Sequence, residues 1–372
     1  MKIGYITKED PNDVGAYSGT HFSMLQALQQ EFNEVAILGP LDHWYKNIVK
    51  LKGKIRTLGS NRIYKYQYDV ELAKIHAGIL EKRIKTAKPD VLIGSLVTPE
   101  VAFLKTDLPL YLTTDATFPL LQNVYSSHTN LHQKSIDNAL LLEQKAFNKA
   151  RKLILPLQWL SNSATESYNV PDSKIEILPY GGNIDYPPVD EIESLIAERC
   201  QNDEIILLFV GVRWEEKGGP KAIEITRELN KLGIKARLKV VGVTPEINED
   251  FVDVVGFLSK KEPNELTELI NLYKTASAFI LPTQAECVGM SFIEAASFAL
   301  PAIGTNVGGV PEAISHQETG WTFTIDDTPT KIAYEIATVL SDENLYKKMS
   351  KSAYTKHANQ MNWETWAQNF KK

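Results

Sequence analysis

Ala285 to Pro301 reads AECVGMSFIEAASFALP, with two glutamates, Glu286 and Glu294, eight positions apart and Gly289 between them. The stretch follows the apolar run SAFILP and leads into LPAIGT, both of strand length, and Met290–Ala299 between them has helical spacing. A strand, a glycine turn and a helix in succession make one βα step. The amides of Gly289, Met290 and Ser291 would open that helix, and N–H groups with no partner inside a helix form an anion site. Glu286 would lie before the turn, while Glu294, about one turn into the helix, would reach sideways to a second part of the same ligand. Acidic residues near a helix N-terminus also gain roughly 0.3–1 kcal/mol each from the helix dipole, so spacing alone leaves a structural role open for both.

Outward from this stretch, the same strand-then-helix alternation covers the chain. KIGYI, EVAIL, DVLIGS, LPLYLT and KLILP recur through the first half, and EIILLFVG, ARLKVVG, FVDVVGF, SAFILP and LPAIGT through the second. Phe22, Leu25, Leu28 and Phe32 put one apolar stripe on a helix directly after the first strand and its loop, and further helices are expected around Ala222–Lys231 and Asn264–Ala276. Such alternation implies parallel sheets. The glycine- and proline-rich YGGNIDYPPVD, Tyr180–Asp190, breaks the pattern and marks a hinge. At 372 residues with 43% apolar and 23% charged residues, the chain suits two α/β domains, each doubly wound and Rossmann-like. The expected limits are 1–182, 183–358, and a terminal segment 359–372 that crosses back to the first domain. Two such domains facing each other would set the carboxyl ends of their strands, where open α/β sheets bind ligands, on opposite walls of a cleft.

Beyond the opening stretch come FVGVRWEEKGGPKAIEI upstream and LPAIGTNVGGVPEAISHQETGWTF downstream. Together, over about Leu207–Phe323, these resemble the retaining family-4 glycosyltransferases of the GT-B fold. Glu286 and Glu294 match that family's paired glutamates, Arg213 and Lys217 its strand-to-loop cations, and Gly308 to Glu312 its Gly-Gly-x-Pro-Glu. Ser18–Thr20, SGT, resembles its glycine-rich loop.

The resemblance implies a hexosyltransferase that moves a sugar from a nucleotide diphosphate, UDP or GDP, to an acceptor hydroxyl in glycan, glycolipid or other glycoconjugate synthesis. It implies that Arg213 and Lys217 meet the diphosphate, that Glu286 contacts the sugar and that Glu294 contacts the ribose. Gly19 would let the first loop approach the diphosphate, Gly289, Met290 and Ser291 would offer amides, and Leu258, with Phe257, would lie by the base. Asp-x-Asp, the usual holder of a divalent metal on such donors, occurs nowhere in the chain. Cations would replace it, with no metal and no cofactor. As the glycosidic bond breaks, charge grows on the leaving phosphate, and fixed cations and amide dipoles aimed there lower the barrier selectively.

Other signals are two-sided. RWEEKGG could be a solvated turn with Glu215 and Glu216 neutralising both cations. Asp115, in LYLTTDATFPLL, stands where many members carry a histidine beside the sugar. It is either a catalytic-site residue or a cap for the next turn. His21 faces either the site or solvent. Trp44 to Lys65 holds seven basic residues, from Lys46 to Lys65, and no acidic one, fitting an anionic acceptor such as a lipid-linked glycan or a membrane surface, or else an ordinary solvated excursion. Trp363, Trp366 and Phe370 make one apolar helix face.

The formal charge of −6 gives no general attraction to nucleic acid or anionic membrane, so any anionic ligand must be met by locally placed cations. Two cysteines, no signal-peptide core and no apolar run of membrane-spanning length suggest a cytoplasmic protein that can associate with a membrane surface. The partners expected are a nucleotide-sugar donor and a hydroxyl acceptor, lipid-linked or protein-linked. Alternatives are a nucleotide-sugar epimerase and a catalytically silent nucleotide-sugar binding protein. A Rossmann dehydrogenase is disfavoured, because GYITKEDPNDVGAYSG lacks the Gly-x-Gly-x-x-Gly turn.

Overall fold

The computed structural model describes residues 1–122 and 124–371. The chain divides into two compact units, Met1–Pro179 with the residues from Trp366 onward, and Tyr180–Thr365. The division falls at the first residue of the glycine- and proline-rich segment.

In the first unit the strands are β1 (Lys2–Ile6), β2 (Glu34–Ile37), β3 (Val91–Ser95), β4 (Leu110–Thr113), β5 (Lys152–Leu155) and β6 (Ile175–Ile177). They form one parallel sheet in the order β2-β1-β3-β4-β5-β6. The second unit carries β7 (Ile205–Val210), β8 (Ala236–Val241), β9 (Val252–Gly256), β10 (Ala278–Leu281), β11 (Ala302–Thr305) and β12 (Gly320–Phe323). Its parallel order is β12-β11-β10-β7-β8-β9. Helices join successive strands except β8 and β9, which a helix-free loop connects, and each unit is doubly wound.

Both orders reverse once. In the first sheet the reversal lies between β1 and β3, and in the second between β7 and β10. At such a switch point the loops leaving two neighbouring strands diverge to opposite faces and leave a crevice at the carboxyl edge. The loop after β7 carries Arg213 and Lys217; the loop after β10 carries Glu286. β10 is buried along its whole length, which explains why AFIL reads as a continuous apolar run instead of an alternating one.

The start of the segment Tyr180–Asp190 is packed within the second unit. Tyr180 stacks on Trp363 with centroids 5.2 Å apart, and the Trp363 indole donates to Asn183 Oδ1 at 3.1 Å. A Cβ on Gly181 would run into the Trp363 ring. In the first unit Trp366 lies parallel to Phe370 at 5.7 Å, and Phe370 meets Tyr111 and Phe32 edge-on. The apolar stripe read from spacing alone is therefore divided between the units.

Arg199 is buried in the second unit and donates to three carbonyls, Tyr273 O at 2.8 Å, Lys274 O at 2.9 Å and Ala299 O at 3.1 Å. The first two belong to the last turn of the helix Pro263–Thr275, where carbonyls have no helical partner. Arg199→Met strands all three, so the second unit should lose about 3 kcal/mol of unfolding free energy. A urea midpoint unchanged from wild type would show that water satisfies these carbonyls instead.

Candidate functional site

The loop after β7 is wound on itself. Lys217 N donates to Arg213 O at 2.8 Å, Gly218 N to Glu215 O at 3.1 Å and Gly219 N to Trp214 O at 2.9 Å. Gly218, at φ 77°, turns the chain into the helix Gly219–Lys231. Trp214 fills the space a Cβ on Gly219 would need and meets Phe209 of β7 at 5.1 Å, so the indole braces the loop on the core.

A second set of bonds ties this loop to the one after β10. Glu216 O accepts from Gln284 N at 2.9 Å and Thr283 Oγ1 at 3.2 Å, and Glu215 O accepts from Gln284 Nε2 at 3.3 Å. Lys217 Nζ is thereby set 2.5 Å from Glu286 Oε2, both side chains largely buried at 12% and 15% exposure. Glu286 Oε1 accepts from Cys287 N, and Glu286 O from Gly309 N in the Gly-Gly-Val-Pro-Glu turn. Gly289, at φ 76°, then opens the helix Met290–Ser297, whose first amide bonded back to Gly289 O is that of Phe292. The amides of Met290 and Ser291 thus stand at the helix mouth beside the Lys217–Glu286 pair.

Arg213 takes a different partner. Its Nη1 lies 2.7 Å from Glu216 Oε1 and its side chain is 45% exposed. One of the two cations of RWEEKGG is therefore paired with a glutamate of its own turn, and the other with Glu286.

Glu294 is buried and fully engaged. Its Oε1 accepts from Lys260 Nζ at 2.6 Å and Asn183 N at 3.3 Å, and its Oε2 from Tyr273 OH at 3.3 Å. Burial and the adjacent carboxylate push the Tyr273 phenol well above its ordinary pKa, which keeps it a donor. Sequence reasoning missed Lys260, Asn183 and Thr283. Lys260 lies two residues past Leu258, in the segment expected beside the base, so its position was a usable signal; nothing local marked Asn183 or Thr283. Leu258 is half-buried against the core and Phe257 is exposed.

The first unit presents its own switch-point loop. Tyr17 and Ser18 both adopt left-handed backbone, φ 49° and 58°, before Gly19 at φ 96° starts the helix Thr20–Glu31. Left-handed conformations cost non-glycine residues energy, so this turn is held by its contacts. Tyr17 N donates to Glu9 Oε2 at 3.0 Å and Tyr17 OH to Asp115 Oδ2 at 2.8 Å. The Tyr17 ring stacks on His21 at 5.5 Å. His21 is buried, which excludes the solvent-facing one of its two readings, and burial pushes its imidazole down to about 4. Glu143 and Ser163 engage the turn that follows Asp115. Phe118 N donates to Glu143 Oε2 at 2.7 Å, and the Thr117 hydroxyl pairs with Ser163. Among the described residues, no group of three or more His, Cys, Asp or Glu side chains is placed to hold a metal ion.

Each unit is a doubly wound Rossmann-like domain, and the chain has the GT-B fold. It superposes along its whole length, at a TM-score of 0.67 and 16% identity, on 97% of a sucrose-phosphate synthase from Thermosynechococcus elongatus. A TM-score of 0.61, at 14% identity over 100% of this chain and 98% of the other, relates it to an Anabaena protein, HepE, crystallised with UDP-glucose. Residues 192–356 match the family described as glycosyl transferases group 1. An N-acetyl-alpha-D-glucosaminyl L-malate synthase of Bacillus anthracis is 33% identical over 128 residues, which span 32% of each chain.

Two buried histidines, His21 and His357, are both pushed down to about 4 by burial. Their folded values lie below the unfolded 6.5, so the unfolded chain binds more protons between those limits. Stability is then complete above pH 6.5 and falls as pH drops toward 4, by about 2 kcal/mol per histidine at pH 5. Denaturant melts at pH 7.5 and 5 should show the loss, and His21→Phe should remove part of the slope. An unchanged slope in that variant would exclude His21 as a source.

Proposed function

We propose that this chain is a retaining, metal-independent glycosyltransferase that moves a hexose from a UDP- or GDP-sugar to an acceptor hydroxyl in glycan or glycolipid synthesis. The observation that carries it is the Lys217–Glu286 pair at the mouth of the helix Met290–Ser297, on the switch point between β7 and β10.

A carboxylate placed for sugar hydroxyls is a hazard beside a diphosphate, since two like charges 4 Å apart repel by about 4 kcal/mol at an effective dielectric of 20. Lys217 cancels that charge and presents its remaining N–H groups to the leaving phosphate. The amides of Gly289, Met290 and Ser291 add a second source of positive potential. Cleavage of the bond from the anomeric carbon to the phosphate oxygen sends the electron pair onto the diphosphate, where Lys217 and these amides hold it. The acceptor oxygen bonds to the anomeric carbon, and its proton passes to the departing phosphate oxygen. Arg213, released from Glu216, assists at the phosphates. Glu294, fixed by Lys260, Asn183 and Tyr273, receives the ribose hydroxyls, and Leu258 adjoins the base. Retention of configuration follows the family resemblance, and the UDP-glucose held by the Anabaena protein supports UDP as the first nucleotide to test.

Lys217→Ala should lower kcat/KM by on the order of 10²–10³ with folding intact, because it removes a contact made to developing charge and leaves Glu286 unpaired. Undiminished turnover would remove Lys217 from the reaction. Transfer should also survive EDTA, measured as nucleotide release from UDP-glucose; complete loss that Mg²⁺ or Mn²⁺ restores would overturn the metal-independent mechanism.

A further inference from the structure

The helix Tyr45–Arg56 of the first unit turns its apolar face outward. At 3.6 residues per turn, Trp44, Ile48, Leu51 and Ile55 fall within an arc of about 60°. Trp44 is 65% exposed, Leu51 60%, Ile55 64%, and Leu58, just past the helix, 85%. The packed side is opposite. It consists of the buried Val49 and of Gly53, whose backbone lies against Tyr64 closely enough to leave no room for a side chain. A solvated helix would show the reverse arrangement.

Basic residues flank the exposed stripe. Lys52 and Lys54 lie about 80° to either side of it at the same helical pitch. Carboxylates neutralise little of this charge. Lys46 pairs with Asp42 at 2.6 Å. Lys50 stands 4.7 Å over the Tyr66 ring, Lys52 5.4 Å over Tyr45, and Arg56 5.3 Å over Tyr64 while bonded to its hydroxyl. Arg62 donates to Leu131 O. Asp69, the nearest acid beyond the segment, accepts from the Tyr64 hydroxyl and caps the helix Val70–Ala87. The remainder of the chain is net acidic, so the positive charge is local to this face.

We infer that this face docks on an anionic lipid surface. Trp44, Leu51, Ile55 and Leu58 enter the boundary between headgroups and acyl chains, and Lys52 and Lys54 extend along the interface to lipid phosphates. A second copy of the chain fits less well. Apposing this face with itself would bring two rims of like charge together. The inference is independent of the transferase activity and is tested without donor or acceptor.

The whole chain is sedimented with phosphatidylcholine vesicles with and without phosphatidylglycerol. Binding is expected only to the anionic vesicles and should weaken as salt is raised. The double change Lys52→Glu with Lys54→Glu should reduce partitioning by at least about thirtyfold. Leu51→Gln with Ile55→Gln should abolish it, while circular dichroism and melting stay as in wild type because these side chains are exposed. Equal binding to neutral and anionic vesicles, or wild-type binding by the Leu51 and Ile55 variant, would overturn the inference. So would a wild-type dimer in sedimentation velocity that this variant converts to monomer without any vesicle binding. Donor hydrolysis by the same variants in solution should be unchanged, which separates failure here from failure of the transferase assignment.

Discussion

The candidate site depends on one topological constraint: β7 and β10 are hydrogen-bonded neighbours although the whole β8 and β9 excursion separates them in the chain. Their loops diverge to opposite faces, so the chain must bring Lys217 and Glu286 together through loop contacts. The carbonyls of Glu215 and Glu216 serve this purpose by accepting from Thr283 and Gln284. Residues whose charged side chains invited an electrostatic account act here chiefly through their backbone.

The two glutamates of the opening stretch occupy unlike environments. Glu286 sits at a helix mouth with one strong cationic partner. Glu294 is deeper and is saturated by an ammonium, an amide and a phenol. A buried carboxylate without such partners would be neutralised or unstable, so Lys260 and Tyr273 are what allow a charge at that depth. The pairing also fixes rotamers, so Glu294 presents a preformed orientation to any ligand. The first unit follows a different logic. Its switch-point turn, with two successive left-handed non-glycine residues, is held by Glu9, Asp115 and His21, which makes Asp115 an anchor for the turn as well as a polar group at the carboxyl edge.

In the outward stripe of the helix Tyr45–Arg56 the hydrophobic pattern opposes burial. Its apolar positions are periodic, as in any amphipathic helix, yet the side that packs uses only Val49 and a glycine. Periodicity locates a stripe; it does not say which solvent the stripe faces.

Sequence alone determined the doubly wound class, most strand positions, the helix opening at Gly289 and the spacing of Glu286 and Glu294. These rest on local regularities: the periods of strands and helices, and the freedom of glycine to turn. Only the tertiary structure decided which charges meet. RWEEKGG offered two cations and two glutamates at equivalent distances along the chain, and the split of Arg213 to Glu216 and Lys217 to Glu286 follows from strand order. Lys260 beside Glu294, the burial of His21, the division of Trp363 from Trp366 and Phe370, and the exposure of Leu51 and Ile55 have the same origin. Each depends on what a distant segment places opposite a side chain, and no local pattern carries that information.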